Sequence, residues 1–542
     1  MKRDISRRHF LSIFGKAAVF APMGSVMYDT LLGQVLNRAA AATGNPALNP
    51  NLYLHMSFAS APPRWYFDLP LAPMGLHADT FAAGGFGTLY TGTGADPSVG
   101  YVTAPQKLGG ETVQLPPLWN MAPAGQDFRK LLDHTLFIRG MDMEINSHQL
   151  SNARQVAPIV NGMSVSGMLA DVSNLPIPSI SGPEVESVRA FRTKKGLSYS
   201  RIDYTSNATV NPIVTLLKSF RGEHLGRATH NARNIALQHQ ALKEFDKYAE
   251  AHGITESALS NMYEAANTLV EGGIFNEANR WAAVQKKYAD LCTAALNPAL
   301  GSIAGLNDRA IPTIAGDARF RFAQTNQINT SDLRRMIDPS TRIAQMAENF
   351  AIAEMLLGRV TSTMTLQFSN MSNLLHDGGR FALTHDQHFV GAPVSVIATT
   401  LFYRAFLSCM SELVAYLKEA KMFDRTVIHM GSEFNRSPRI DASGSDHGVS
   451  GSGCSIISGM LAEGGIVGNI AVNKSTTSNY KGTWGIATDF DMEGMKRPIQ
   501  VNDVALTLTS MLGVDNVVTN GRSVLQPKNG KWVLKKKEAN NV

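Results

Sequence analysis

Apolar residues in this chain come either in short runs of strand length or in longer stretches with helical spacing, and the order in which they follow one another predicts an α/β fold. Leu52 to Phe58, behind Asn49-Pro50-Asn51, is a short apolar run that reads as a buried first strand. Gly84 to Pro117 is rich in Gly, Thr and Pro and reads as surface loop. Phe128 to Leu132 then reads as a helix and Thr135 to Ile138 as a second strand, with a further helix from about Ala153. From about Pro212 to Leu296 strand signals vanish, and Trp281, Val284, Tyr288 and Leu291 share one helical face. This predicts an inserted helical subdomain at about residues 205–300. Asn307 to Gln327 has no clear period and is expected to return the chain to the core. Ile343, Met346, Phe350 and Leu357 predict an amphipathic helix that Gly358 can end, followed by a strand from Val360 to Phe368. A long helix from about Val394 to Ala420, a strand from Thr426 to Met430 and a closing helix from Val504 to Leu512 complete the pattern.

Composition adds that the 542 residues, 44% of them hydrophobic, suffice for a large buried core and exclude disordered and disulfide-dense classes. One core with insertions is expected. The N-terminus carries Ser6-Arg7-Arg8-His9-Phe10-Leu11, a weakly apolar stretch from Ile13 to Val35, and Ala39 to Ala42. It resembles a twin-arginine signal peptide over residues 1–42, cleaved near Ala41, which implies passage through the twin-arginine translocase to a periplasmic or secreted location and a mature domain over residues 43–542. Of the net charge of +6, this leader supplies four through Lys2, Arg3, Arg7, Arg8, Lys16 and Arg38 against Asp4 and Asp29. The small remainder argues against nucleic acid as a partner. No other segment has about 18 uninterrupted apolar residues, so a stable transmembrane segment is not expected in the mature chain. Cys292, Cys409 and Cys454 lie far apart without CxxC spacing, which indicates neither a disulfide framework nor a Cys-rich zinc site and leaves room for one bridge.

Three clusters carry candidate chemistry, each just beyond an expected strand, where open α/β sheets place their ligand crevice. The first is Glu433-Phe434-Asn435-Arg436 with Asp446-His447 nearby, offering carboxylate and imidazole ligands for Zn or Mn and an Arg for a phosphate or sulfate. The second runs from His376-Asp377 to His385-Asp386-Gln387-His388. The third is Asn146-Ser147-His148 with Ser151-Asn152 at a helix start, where an ester nucleophile or oxyanion would sit. Taken singly, Ser151 or Asn152 suits a helix cap better than a nucleophile and His376 and His388 the surface or a ligand-supporting position better than a ligand, while Glu433 with Arg436 suits an ion pair, and Asp446 an Asx turn, as well as a site role.

At these residues the chain resembles the DUF1501 proteins, exported bacterial relatives of the alkaline phosphatase and sulfatase superfamily. Ser60-Ala61 through Phe67-Asp68-Leu69-Pro70 looks like the family's opening Gly-Gly motif and its Phe-Asp-x-Lys-Pro continuation. Phe137 to Met141 with His148, the stretch from Gly358 into Thr384-His385, Ser432 to Pro438 with Asp446-His447-Gly448, and Asn502 to Val514 match later blocks. The resemblance implies an alkaline-phosphatase-like, mostly parallel central sheet flanked by helices. It further implies a metal-dependent hydrolase of phosphate or sulfate monoesters using a divalent metal, Zn, Mn or Ca. Asp377, His385, Glu433, Asp446 and His447 are then the expected ligands, with His148, Ser147 or Ser151 as nucleophile or its support and Arg436 clamping the oxyanion. The chain departs from the pattern where Ser60-Ala61 replaces Gly-Gly and Leu383 replaces an Asp. Those departures support an alternative, a catalytically degenerate scaffold of the same fold that binds an envelope glycan or a protein. The expected substrate is accordingly a small ester or an envelope glycan.

Overall fold

A computed structural model of the protein describes residues 49–70, 89–90, 99–100, 104–159, 161–173, 175, 177–182, 190–202, 212, 247, 274–296, 321–322, 326–327, 343–368, 385–439, 443–473, 483–492 and 495–535. By internal contacts the chain divides into residues 1–45 with 215–270 and residues 46–214 with 271–542, and the elements described here belong to the second unit. The leader, Asp377 and most of the expected helical insertion lie outside the described residues.

The unit is built on β1 (Leu52–Phe58), the hairpin β2 (Ala104–Leu108) and β3 (Glu111–Leu115), β4 (Thr135–Asp142), α1 (His148–Arg154) and α2 (Val165–Val172). Two short strands, β5 (Ile180–Ser181) and β6 (Ser200–Arg201), precede α3 (Ile274–Leu296), α4 (Ile343–Leu356), β7 (Thr363–Phe368) and α5 (Ala392–Glu419). The chain continues through β8 (Thr426–Ser432), the hairpin β9 (Asn435–Pro438) and β10 (Ser445–Gly448), β11 (Ser452–Ser458), β12 (Gly465–Val467), β13 (Ile499–Gln500) and α6 (Val501–Leu512). A nine-stranded sheet has the order β12-β4-β11-β8-β1-β7-β5-β6, with β13 also paired to β4. Every pairing is parallel except those of β11, which runs antiparallel to both β8 and β4. The fold is therefore α/β with a mostly parallel sheet flanked by helices, as the sequence predicts. Because β11 reverses twice, β4, β8, β1 and β7 all point the same way and end at one edge.

Alternation along β1 sorts its residues between two covered faces. Leu54, Met56 and Phe58 point to one, where Phe58 packs on Phe402, Tyr403 and Phe406 of α5. Tyr53 points to the other and joins Ile138, Val427 and Ile456 in a core with Val165 and Leu169 of α2 and Val504 and Leu508 of α6. Parallel strands buried on both faces need continuous apolar sequence, which is why the run from Leu52 to Phe58 is wholly buried. Toward the ends of the strands this second face turns polar. Ser57 donates its hydroxyl to Asn152 Oδ1 at 3.1 Å, and Gly431 leaves room for Gln155, whose Oε1 lies 1.8 Å from where a Cβ would stand. These contacts seat α1 across the ends of β1 and β8.

Some boundaries differ from expectation. The helix expected from Ala153 begins at His148, with Ser147 in extended geometry before it. The last third of the stretch read as loop is largely the β2–β3 hairpin, whose outer residues are exposed and so lack an apolar signature. On α3 the packed face runs through Trp281, Val284, Tyr288 and Cys292, not Leu291, and it rests on α4 and α5. Asn307 to Gln327 contains a two-residue pairing of Arg321–Phe322 with Asn326–Gln327 among the described residues. No helix of the described residues is long and apolar enough to cross a membrane.

Candidate metal centre

Four side chains converge at the edge where the parallel strands end. His148 arrives on the first turn of α1, Asp386 and His388 on the loop leading into α5, and His447 on β10. His148, Asp386 and His447 each offer one ligand atom, and these atoms all lie within 4.8 Å of one another. His388 joins them, its Nε2 3.0 Å from His447 Nε2 and 3.3 Å from Asp386 Oδ1. Donors held about 2 Å from a tetrahedral ion stand roughly 3.3 Å apart, so these separations suit a shared cation.

The surrounding groups fix which ring nitrogens point inward. His148 Nδ1 lies 2.7 Å from Glu433 Oε1, and His447 Nδ1 lies 2.7 Å from Asn146 Oδ1. Each oxygen accepts the Nδ1 proton and leaves Nε2 as the lone-pair donor, the arrangement that carboxylate or carbonyl partners impose on ligating histidines. Phe434 packs against both rings, at 4.8 Å from His148 and 4.4 Å from His447, and restricts their rotation. Burial, ahead of the positive charges of Arg436, His388 and His148, holds His447 down at about 3. Burial likewise lowers His388. Both rings are thus neutral near pH 7, the form that ligates. Three imidazoles and a carboxylate make a nitrogen and oxygen donor set suited to Zn or Mn.

Arg436 is fully buried and donates to Asp386 Oδ1 through Nη2 and to the Ala61 carbonyl through Nε at 3.1 Å. The same turn is held from its other side by His385, whose Nδ1 lies 2.9 Å from the Ala59 carbonyl. Between them Ser60 and Ala61 take left-handed backbone, φ 66° and 46°, a conformation that favours glycine.

The expected residues therefore separate. His447 and His148 belong to the convergent group, with Glu433 behind His148 and Arg436 behind Asp386. His385, expected as a ligand, is buried against Phe402 and directed at the Ala59 carbonyl, outside the group of three. Burial brings it down to about 4. Asp446 accepts from the His447 backbone at 3.0 Å and stands 3.9 Å from His388 Nδ1, behind the rings. Ser151, expected near the nucleophile, donates its hydroxyl to the Ile145 carbonyl at 2.7 Å and stabilises the start of α1. Ser147 precedes α1 with no side-chain cap bond. Asp386 and His388 are the residues that sequence reasoning passed over. The loop alternates, His385 and Gln387 buried, Asp386 and His388 accessible, so the expected ligand His385 lies on the opposite parity from the converging pair.

Gly444 positions His388. It lies at φ 149°, and a Cβ there would stand 2.1 Å from the His388 carbonyl, a backbone atom that cannot swing aside. Gly444→Ala is expected to displace His388 and weaken zinc binding about 10- to 100-fold, as loss of a supporting contact does, while the protein stays folded. Calorimetric zinc titration beside a thermal melt checks this.

No protein-family model matches the chain, and no curated protein does. Among solved structures it is similar to the crystal structure of PsFucS1 sulfatase from Pseudoalteromonas sp. at 10% identity and a TM-score of 0.29, over 95% of this chain and 78% of that one, a level that assigns neither fold nor activity.

Proposed function

We propose that the chain is an exported, metal-dependent hydrolase of phosphate or sulfate monoesters. The observation that carries this reading is the convergence of His148, Asp386, His388 and His447, with Glu433 and Asn146 orienting two of the rings and the Arg436 charge alongside. The four would hold one divalent ion, which supplies Lewis-acid polarisation of an ester oxygen and lowers the pKa of a bound water. Glu433 keeps the proton on His148 Nδ1 and so keeps Nε2 basic. Arg436 contributes a fixed positive charge that favours an anionic ester, and Asp386 orients it. The left-handed turn at Ser60-Ala61, where the resembling family has glycines, supports the same reading. Export rests on the Arg7-Arg8 leader and makes the twin-arginine translocase the expected partner.

Elemental analysis by mass spectrometry of the purified protein, beside His447→Ala and Glu433→Gln, tests the metal. Near-stoichiometric zinc or manganese is expected in the wild type, none in His447→Ala, and affinity reduced about 10- to 100-fold in Glu433→Gln. Hydrolysis of 4-nitrophenyl phosphate or sulfate should follow metal content across the three proteins. Metal-free wild type at unchanged stability sinks the proposal and favours a binding scaffold.

A further inference from the structure

Away from this site, two cysteines that the sequence separates by 117 residues meet between helices. Cys292 of α3 and Cys409 of α5 are both fully buried, their Sγ atoms 3.3 Å apart, and Cys409 Sγ also lies 3.7 Å from the Tyr288 carbonyl on the facing turn of α3. We infer that Cys292 and Cys409 form a disulfide that staples α3 to α5 when the chain folds under oxidising conditions. A disulfide needs about 2.05 Å between sulfurs, so the pair closes by roughly 1.3 Å, within reach of small side-chain rotations. The third cysteine, Cys454, sits on β11 in the core on the α2 and α6 side of the sheet and is no competitor.

The chemistry is thiol–disulfide exchange with a disulfide oxidant such as oxidised glutathione. One cysteine thiolate attacks the oxidant and expels one thiol. The second cysteine then attacks the mixed disulfide and expels the other, so two protons and two electrons leave the protein and one S–S bond forms. Burial pushes the Cys409 thiol well up, so little thiolate exists in the closed fold. The bond therefore forms while the helices are still docking or during local opening, and once formed it is shielded from reductant. The inference stands apart from the hydrolase reading, since neither sulfur belongs to the metal site.

Full-length protein is produced in an oxidising compartment, or refolded with oxidised glutathione, then denatured in an alkylating agent and mapped by peptide mass. One alkylated cysteine, Cys454, is expected, together with a Cys292–Cys409 peptide pair two hydrogens lighter than the sum of its thiols. Reductant should expose all three thiols and lower the melting midpoint on the order of 5 °C, given the length of the closed loop. Cys409→Ser should lose the link. Cys454→Ser should keep it, which decides the matter even if Cys409→Ser fails to fold. Three alkylatable thiols after oxidative folding, or a link that includes Cys454, overturns the inference.

Discussion

Asp68→Ala is expected to lose about 3–5 kcal/mol of stability, enough to leave much of the protein unfolded at 37 °C, because it strands a buried guanidinium. Arg64 and Asp68 are both essentially inaccessible, at 1% exposure each. Arg64 Nε donates to Asp68 Oδ1 at 2.7 Å, and Nη2 donates to Oδ2. Ser455 donates to that same Oδ2 at 2.8 Å. Two further guanidinium protons go to the carbonyls of Gly453 at 3.0 Å and Met430 at 3.1 Å, on β11 and β8. The pair thus satisfies backbone groups where the antiparallel strand meets the parallel part of the sheet. Burial alone would lower the Arg64 pKa, and the Asp68 charge and hydrogen bonds more than reverse that, so the net shift is upward. Removing Asp68 leaves a cation that neither water nor any other carboxylate named here neutralises. Arg64→Met with Asp68→Leu should cost much less than Asp68→Ala alone, because the pair is replaced as a unit. Urea denaturation of the three proteins reads this directly. Wild-type stability in Asp68→Ala would show that the pair is not what holds this junction.

The elements read most closely from sequence are those whose burial forces a uniform signature. The run Leu52–Phe58 matches β1 to the residue because a parallel strand covered on both faces has to be mostly apolar. The helix expected from Val394 to Ala420 is α5, Ala392–Glu419, long enough for periodicity to outweigh local noise. β4 extends beyond Ile138 to Asp142 because the polar-looking Arg139 is buried there, donating to the Pro70 carbonyl at 2.6 Å. The β2–β3 hairpin, with Pro105 and the Gly109-Gly110 turn, has the composition of a loop. At the site, sequence singled out segments that the structure brings together, and took His385 where Asp386 and His388 are the accessible members of their loop. Asp386 and His388 look no different from His385 until the loop is pinned by His385 on Ala59 and by Ser445 Oγ donating to the Gln387 carbonyl at 2.7 Å. The nearness of His388 to His447, and of Cys292 to Cys409, arises from packing between distant segments, which no local pattern encodes.

Stability should fall steeply as pH drops from about 6.5, in large part through two histidines buried in the sheet itself. His55 of β1 and His429 of β8 are register partners with ring centroids 4.8 Å apart, both fully enclosed. Tyr53, whose own hydroxyl burial holds protonated, shares a hydrogen bond of 2.9 Å with His429 Nδ1. Burial brings His55 down to about 3, opposed by the His429 backbone and helped by the Arg64 charge. Burial, then the nearby His55 and Arg64, takes His429 well below its ordinary value. Both folded values are depressed, so above about pH 6.5 neither state binds the protons and stability is complete. Below that, the unfolded chain takes up two protons that the folded one refuses, and stability is lost at up to roughly 1.4 kcal/mol per pH unit for each ring, until the folded values are reached. Carboxylates contribute little between pH 6.5 and 5, whereas His385 and His447, also held low by burial, add their own share to the slope. His429→Gln, which keeps a partner for the Tyr53 hydroxyl, should lower the slope of unfolding free energy against pH in that window by up to about 1.4 kcal/mol per pH unit. His55→Met with His429→Gln should lower it by about twice as much, leaving the part that His385 and His447 supply. Urea unfolding at pH 7.5, 6.5, 5.75 and 5 checks both, and an unchanged slope in the double variant would place the acid sensitivity elsewhere.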